Sequence, residues 1–196
     1  VKSPTWKQRI QRSLHLSRSK PESKYFQVAS IGIEGQPKAR TMVFRGFSEL
    51  QTQFVAVTDI RSEKYDEFTK NKQAEVCWYF AKTREQYRLS CSVNLHTSGS
   101  LVKYYWNCLS SSAKNSFSLP HPKVPIELNP CDSLQEEVKS TESSDTLLEQ
   151  FISPNFVVIE FVPFCCDYLN LKSKPQLRTI ELLNDENQWH ATTVNA

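Results

Sequence analysis

The residues best suited to chemistry lie between positions 40 and 64, where Arg40, Arg45, Arg61 and Lys64 fall close to the hydroxyls of Thr58 and Ser62. Arginine offers a planar fork of donors, lysine a point charge, and a helix start offers backbone N–H groups without internal partners. Arg61-Ser62-Glu63-Lys64 supplies all three at a strand-to-helix junction, with Thr58 just before it. Such a set is suited to a dianionic phosphate. The competing reading is a solvated helix start with charges of both signs, since no glycine-rich loop marks the segment. Arg40 and Arg45 flank the apolar Met42, Val43 and Phe44. Positions five apart point to opposite faces of a strand, so both reach one ligand only if the strand bends or Arg45 lies beyond its end.

The elements that must position these groups follow from periodicity and turn chemistry. Residues 25–33 and 38–46 read as strands joined at Glu34-Gly35-Gln36-Pro37, a hairpin. Residues 53–58 make a third strand, and a helix over 62–71 buries Tyr65 and Phe68. Strands are expected at 74–81 and 85–95, with Cys77 and Cys91 as buried thiols, then a helix over 99–113 with Leu101, Tyr104, Tyr105 and Leu109 inward. Strands resume at 156–162, 165–171, 177–183 and 189–194, with Cys165 and Cys166 on opposite faces. A helix over 4–18 opens the chain, with Ser3 as its cap, Trp6, Ile10 and Leu14 as its apolar stripe, and Lys7, Arg9, Arg12 and Arg18 solvated. Many short antiparallel strands with a few helices predict a mainly β fold, a small barrel with flanking helices, in one domain over 1–196. A polar insertion spans about 120–150. It carries six acids and one lysine between Asp132 and Glu149, and reads either as an exposed insertion or as a helix over 145–151 alone.

Composition narrows the function. The formal net charge of +3 is too small to argue for nucleic acid. The six cysteines form no C-x-x-C pair and the four histidines are scattered, so no metal site is expected. No apolar run is long enough for a membrane span, and no secretory signal is expected. Free thiols fit a reducing compartment. A cytoplasmic location is expected, with organellar import through an upstream peptide left open because the chain starts at Val1.

Arg40-x-Met42-Val43-Phe44-Arg45, followed by Thr58, Ser62 and Lys64 and then Gln86, resembles the FMN-binding pattern of the pyridoxine/pyridoxamine 5′-phosphate oxidases. It is most similar to their plant and cyanobacterial oxidase-related branch. Arg178, followed by a strand, the 184–187 turn and Trp189, fits the same order. The resemblance covers most of 20–115 and 156–196. It implies a split β-barrel homodimer with one FMN in each of two clefts between subunits. Arg40, Ser62 and Lys64 would hold the flavin phosphate, with Arg61 as a neighbour and Thr58 on the ribityl chain or phosphate. Met42 and Val43 belong to the same cofactor-binding run. Gln86 would meet the isoalloxazine edge from the facing subunit, and Arg178 would lie near the ring. Arg45 stands where the family has a lysine that touches flavin and substrate phosphate; Arg keeps the charge but not the geometry.

On the substrate side, Tyr104 and Ser112 match the family's phosphate-binding spacing, but Cys108 falls where an arginine is expected. The family's Arg-x-His before its last flavin arginine is replaced by Lys174, Pro175, Gln176 and Leu177. Lys103, Lys114 or Lys174 would have to compensate. Three functions follow as expectations. The first is an FMN-dependent oxidase making pyridoxal 5′-phosphate from pyridoxamine or pyridoxine 5′-phosphate with O2. The second is an FMN-binding oxidoreductase or flavin carrier with another substrate. The third is an interaction module using the basic first helix and the acidic 131–150 segment.

Overall fold

The computed structural model describes residues 4–48, 52–124 and 151–196. Its first helix, α1 (Thr5–Leu16), turns Trp6, Ile10 and Ser13 inward. The expected cap, Ser3, lies outside the described residues. Lys7 departs from the expectation of a solvated face: it is buried, with Nζ 4.8 Å from the Phe47 ring centroid. A lysine stem packs on apolar surface while its ammonium meets a ring face.

Alternation then builds a hairpin of β1 (Tyr25–Ile31) and β2 (Pro37–Val43), joined through Gly35 at φ 88°. Phe26, Val28 and Ser30 are buried, while Gln27, Ala29 and Ile31 face outward. The strand expected over 38–46 divides at Phe44 and Arg45. The Phe44 N–H donates to the Lys24 carbonyl at 2.7 Å and the Arg45 N–H to the Val55 carbonyl at 2.9 Å. The chain thereby leaves β1 and continues as β3 (Gly46–Phe47) along β4 (Phe54–Asp59). Next come α2 (Glu63–Lys70), β5 (Gln73–Phe80) and β6 (Glu85–His96).

The helix expected over 99–113 is two helices, α3 (Ser100–Asn107) and α4 (Ser111–Asn115). Ser110 caps the second by accepting from the Ala113 N–H, so the chain restarts there rather than running through. Tyr104, expected inward, is 62% exposed; Tyr105, Trp106 and Leu109 do the burying. The helix expected over 145–151 lies outside the described residues, apart from Phe151, which is exposed and not helical.

β7 (Phe156–Asn170) replaces the two strands expected at 156–162 and 165–171. One edge pairs with β6 along its length, with a register shift opposite Ser90 and Cys91. Its other edge pairs first with β4 and then with β8 (Leu177–Leu183), which carries β9 (Trp189–Val194). Cys165 and Cys166 do face opposite sides, the first half-buried and the second fully buried. Cys77 is half-buried rather than buried.

All pairings are antiparallel, in the order β2-β1-β5-β6-β7-β4-β3. Both ends of that order belong to one run, residues 37–47, so the sheet curls around its own core. Phe26 sits at the centre, 5.3 to 5.8 Å from the rings of Trp78, Phe54 and Phe161. Among the described residues, no helix is long and apolar enough to cross a membrane. Because Phe26 is fully buried and central, Phe26→Ala is expected to cost about 3–5 kcal/mol, read as a lowered denaturant midpoint with an unchanged slope.

Candidate phosphate-binding site

Thr58 ends β4, and the chain turns through Asp59-Ile60-Arg61 into α2 at Ser62. The Ser62 hydroxyl does not cap its helix. It donates to the Asp59 carbonyl at 2.6 Å and lies 3.1 Å from Thr58 Oγ1. The first-turn N–H groups of α2 have no side-chain cap, although Glu63 and Asp66 already place negative charge in that turn and the Tyr65 N–H donates to the Ser62 carbonyl at 2.9 Å. Lys64 Nζ donates to Thr58 Oγ1 at 3.2 Å. Burial pushes the Lys64 ammonium below its ordinary pKa of 10.5, and the positive charge of Arg40 adds to that push.

Arg40 arrives from the other side. The β1–β2 register places it opposite Val28, on the face turned to the core. Its Nη2 donates to Glu67 Oε2 at 2.6 Å and its Nη1 to Ser30 Oγ. The structure thus brings Arg40, Thr58, Ser62 and Lys64 together: two like charges, two hydroxyls and an uncapped helix start. That donor set fits a phosphate ester, whose charge would relieve the Arg40–Lys64 repulsion.

The other expected residues lie elsewhere. Arg61 turns onto Asp59, with Nε and Nη2 at 2.9 and 2.7 Å from its carboxylate, and Nη1 donates to the Leu119 carbonyl at 3.0 Å. Burial of Asp59 raises its pKa, but the hydrogen bonds and charge of Arg61 outweigh this and hold it below the usual range. Arg61 therefore acts as a strut between the 59–62 turn and the segment after α4. Met42 is buried in the core and Val43 half-buried at the end of β2. Arg45 is exposed and lies beyond the end of β2.

Gln86 and Arg178 sit on the opposite face of the sheet from Arg40, in one cross-strand row Tyr79–Gln86–Leu169–Arg178. Arg178 is clamped by Asp167 at 2.9 and 2.7 Å, and Arg88 shares that carboxylate. The hydrogen bond from Arg178 is the main cause of the lowered Asp167 pKa. Tyr104, Cys108 and Ser112 are all exposed at a spacing of four. Tyr105 Oη lies 3.2 Å from where a Cβ on Gly46 would fall, so α3 packs closely on β3. Burial pushes Tyr105 up to about 12.

Sequence reasoning missed Glu67 and Ser30 as partners of Arg40, and the contact of His96 with Glu160 at 3.3 Å. A carboxylate next to Phe68 on the buried face of α2, three residues after Lys64, was the available signal for Glu67. Among the described residues, no group of three or more His, Cys, Asp or Glu is placed to hold a metal ion.

Residues 3–97 match the family model of the pyridoxamine 5′-phosphate oxidase FMN-binding domain. Pyridoxine/pyridoxamine 5′-phosphate oxidase 2 of Arabidopsis thaliana is 30% identical over 201 residues, covering 97% of this chain and 96% of the relative. Among solved structures, a pyridoxamine 5′-phosphate oxidase-related, FMN-binding protein of Nostoc punctiforme PCC 73102 superposes with a TM-score of 0.86 at 31% identity, covering 100% of both chains. PhzG from Burkholderia lata 383, solved with tetrahydrophenazine-1-carboxylic acid, shares the fold with a TM-score of 0.75 at 19% identity, covering 98% of this chain and 91% of that one.

The depressed Lys64 pKa sets a pH dependence. An anion seated beside Lys64 would favour the charged amine, so its affinity would be full below that pKa and fall as pH rises through it. Folding stability runs the other way: the unfolded chain holds this proton more tightly, so the Lys64 contribution rises with pH up to about the ordinary lysine value. Flavin fluorescence titrations are expected to show an alkaline loss of FMN affinity that Lys64→Gln abolishes, with affinity at neutral pH lowered by about 1.5–3 kcal/mol.

Proposed function

Since the chain belongs to the FMN-binding pyridoxamine 5′-phosphate oxidase family and takes FMN as its cofactor, we propose that it is an FMN-dependent oxidase. Its substrates are pyridoxamine and pyridoxine 5′-phosphate, its product is pyridoxal 5′-phosphate, and dioxygen is the electron acceptor. The observation that carries this reading is the convergence of Arg40, Thr58, Ser62 and Lys64 at one strand-to-helix junction.

Bound FMN supplies hydride acceptance from the substrate carbon bearing the amine or alcohol, and return of the electrons to dioxygen. The residues of the chain bind and orient. Arg40 and Lys64 neutralise the flavin phosphate, and the hydroxyls of Thr58 and Ser62 fix its direction. Arg45, just past the end of β2, and Tyr104 and Ser112 on the exposed side of α3 and α4 face the substrate phosphate. With the substrate carbon held against the flavin, orientation does the work of a dedicated base.

A homodimer completes the site. Gln86 and Arg178 lie on the outer face of the sheet, so a second copy must bring its own pair to the flavin ring. Exposed Tyr25, Ile31, Tyr79, Phe164 and Leu182 suit that outer surface to such a contact.

A second reading keeps the flavin and changes the substrate, either as an oxidoreductase or as a flavin carrier. Cys108 favours it: an exposed thiol stands where a phosphate-binding arginine is expected. Residues 174–177 likewise lack the Arg-x-His. An oxygen-dependent assay with saturating FMN decides between the two, and no turnover of either phosphate ester rejects the first. Under the second reading, Cys108→Arg is expected to raise activity toward pyridoxamine 5′-phosphate roughly ten- to hundredfold, the worth of one charge-assisted contact. An unchanged rate argues against it.

A further inference from the structure

Glu67 is only 2% exposed although it lies on a short surface helix. Its Oε2 accepts from Ser30 Oγ at 2.5 Å and from Arg40 Nη2 at 2.6 Å. Arg40 Nη1 donates to Ser30 Oγ as well. Glu67, Ser30 and Arg40 therefore close a three-membered ring of contacts, and two of its members are almost wholly buried. Resting on the assignment of FMN to this site, we propose that Glu67 is a positioning residue for the phosphate arm of the flavin. With Ser30 it fixes the Arg40 guanidinium beside Lys64 before any ligand arrives.

An arginine side chain has many rotamers, and ordering it on binding costs affinity. Here that ordering is done at folding, by two contacts on adjacent nitrogens. The effect extends to Lys64, three residues earlier on the same helix face. Burial and Arg40 both work against the Lys64 charge, and the Glu67 carboxylate works for it. Glu67 thus aims the first cation and, together with Asp59 and Glu63, favours the charge on the second.

A contrary effect exists, because Glu67 is itself negative and repels a dianion. Removing that repulsion and losing the aim of Arg40 act in opposite directions on FMN affinity.

The test compares FMN with riboflavin, which shares the ring and ribityl chain but lacks the phosphate. Flavin fluorescence titrations of wild type, Glu67→Gln and Ser30→Ala are read beside thermal melts. Glu67→Gln is expected to weaken FMN about tenfold or more while leaving riboflavin unchanged, so the preference for FMN falls. Ser30→Ala is expected to lower that preference by a smaller factor, and it carries the test should Glu67→Gln not fold. An FMN-to-riboflavin preference that is unchanged or increased overturns the proposal. So does an equal loss for both flavins, which marks a merely structural role. Wild-type protein that takes up no FMN overturns the underlying assignment instead.

Discussion

A guanidinium on the core-facing side of a strand needs a counter-charge close by, and most of the site follows from that requirement. Arg40 stands opposite the fully buried Val28, where an unpaired charge would be costly. Glu67 supplies the compensation, and doing so fixes how α2 rolls against the sheet. Phe68 enters the core beside Phe161 while Glu67 meets Arg40. Helical spacing then puts Lys64, three residues earlier, on the same side and within reach of Thr58. The cluster is therefore a consequence of one packing choice rather than of separately placed side chains.

The sheet contributes the second constraint. The run 37–47 pairs with β1 at its start and with β4 at its end, so the stretch that carries Arg40 is itself bound to the strand that carries Thr58. Arg61 ties the intervening turn to the segment after α4, linking the basic cluster to the helices that carry Tyr104 and Ser112. What the single chain does not do is bring Gln86 or Arg178 to that cluster, since their row lies on the other face. The proposed homodimer answers that separation.

The strands were legible because alternation is a strong signal wherever one face is buried, as in Tyr25–Ile31 and Gln73–Phe80. The basic cluster was legible only in part: Arg61-Ser62-Glu63-Lys64 fits a solvated helix start as well as an anion site, and Arg61 turns onto Asp59 instead of joining the cluster. Other features were set by tertiary contacts that no local pattern encodes. The strand through Phe44 and Arg45 divides because its backbone changes partner. The 156–171 region is one strand because β6 runs beside all of it. Lys7 reads as a solvated cation until Phe47 is laid against it. That burial of Lys7 also removes one charge from the basic face on which an interaction module would rely. Tyr104 was placed inward by helical spacing, but Tyr105 and Trp106 already fill that side.

The Arg40–Thr58–Ser62–Lys64 hollow is the proposed grip on the flavin phosphate. A crystal structure of the protein grown with FMN tests it most directly. Phosphate density is expected within hydrogen-bonding distance of those four side chains, with the ring running toward Gln86 and Arg178 of a second copy. Phosphate density seated elsewhere, with Arg40 and Lys64 still facing only protein and solvent, would contradict it.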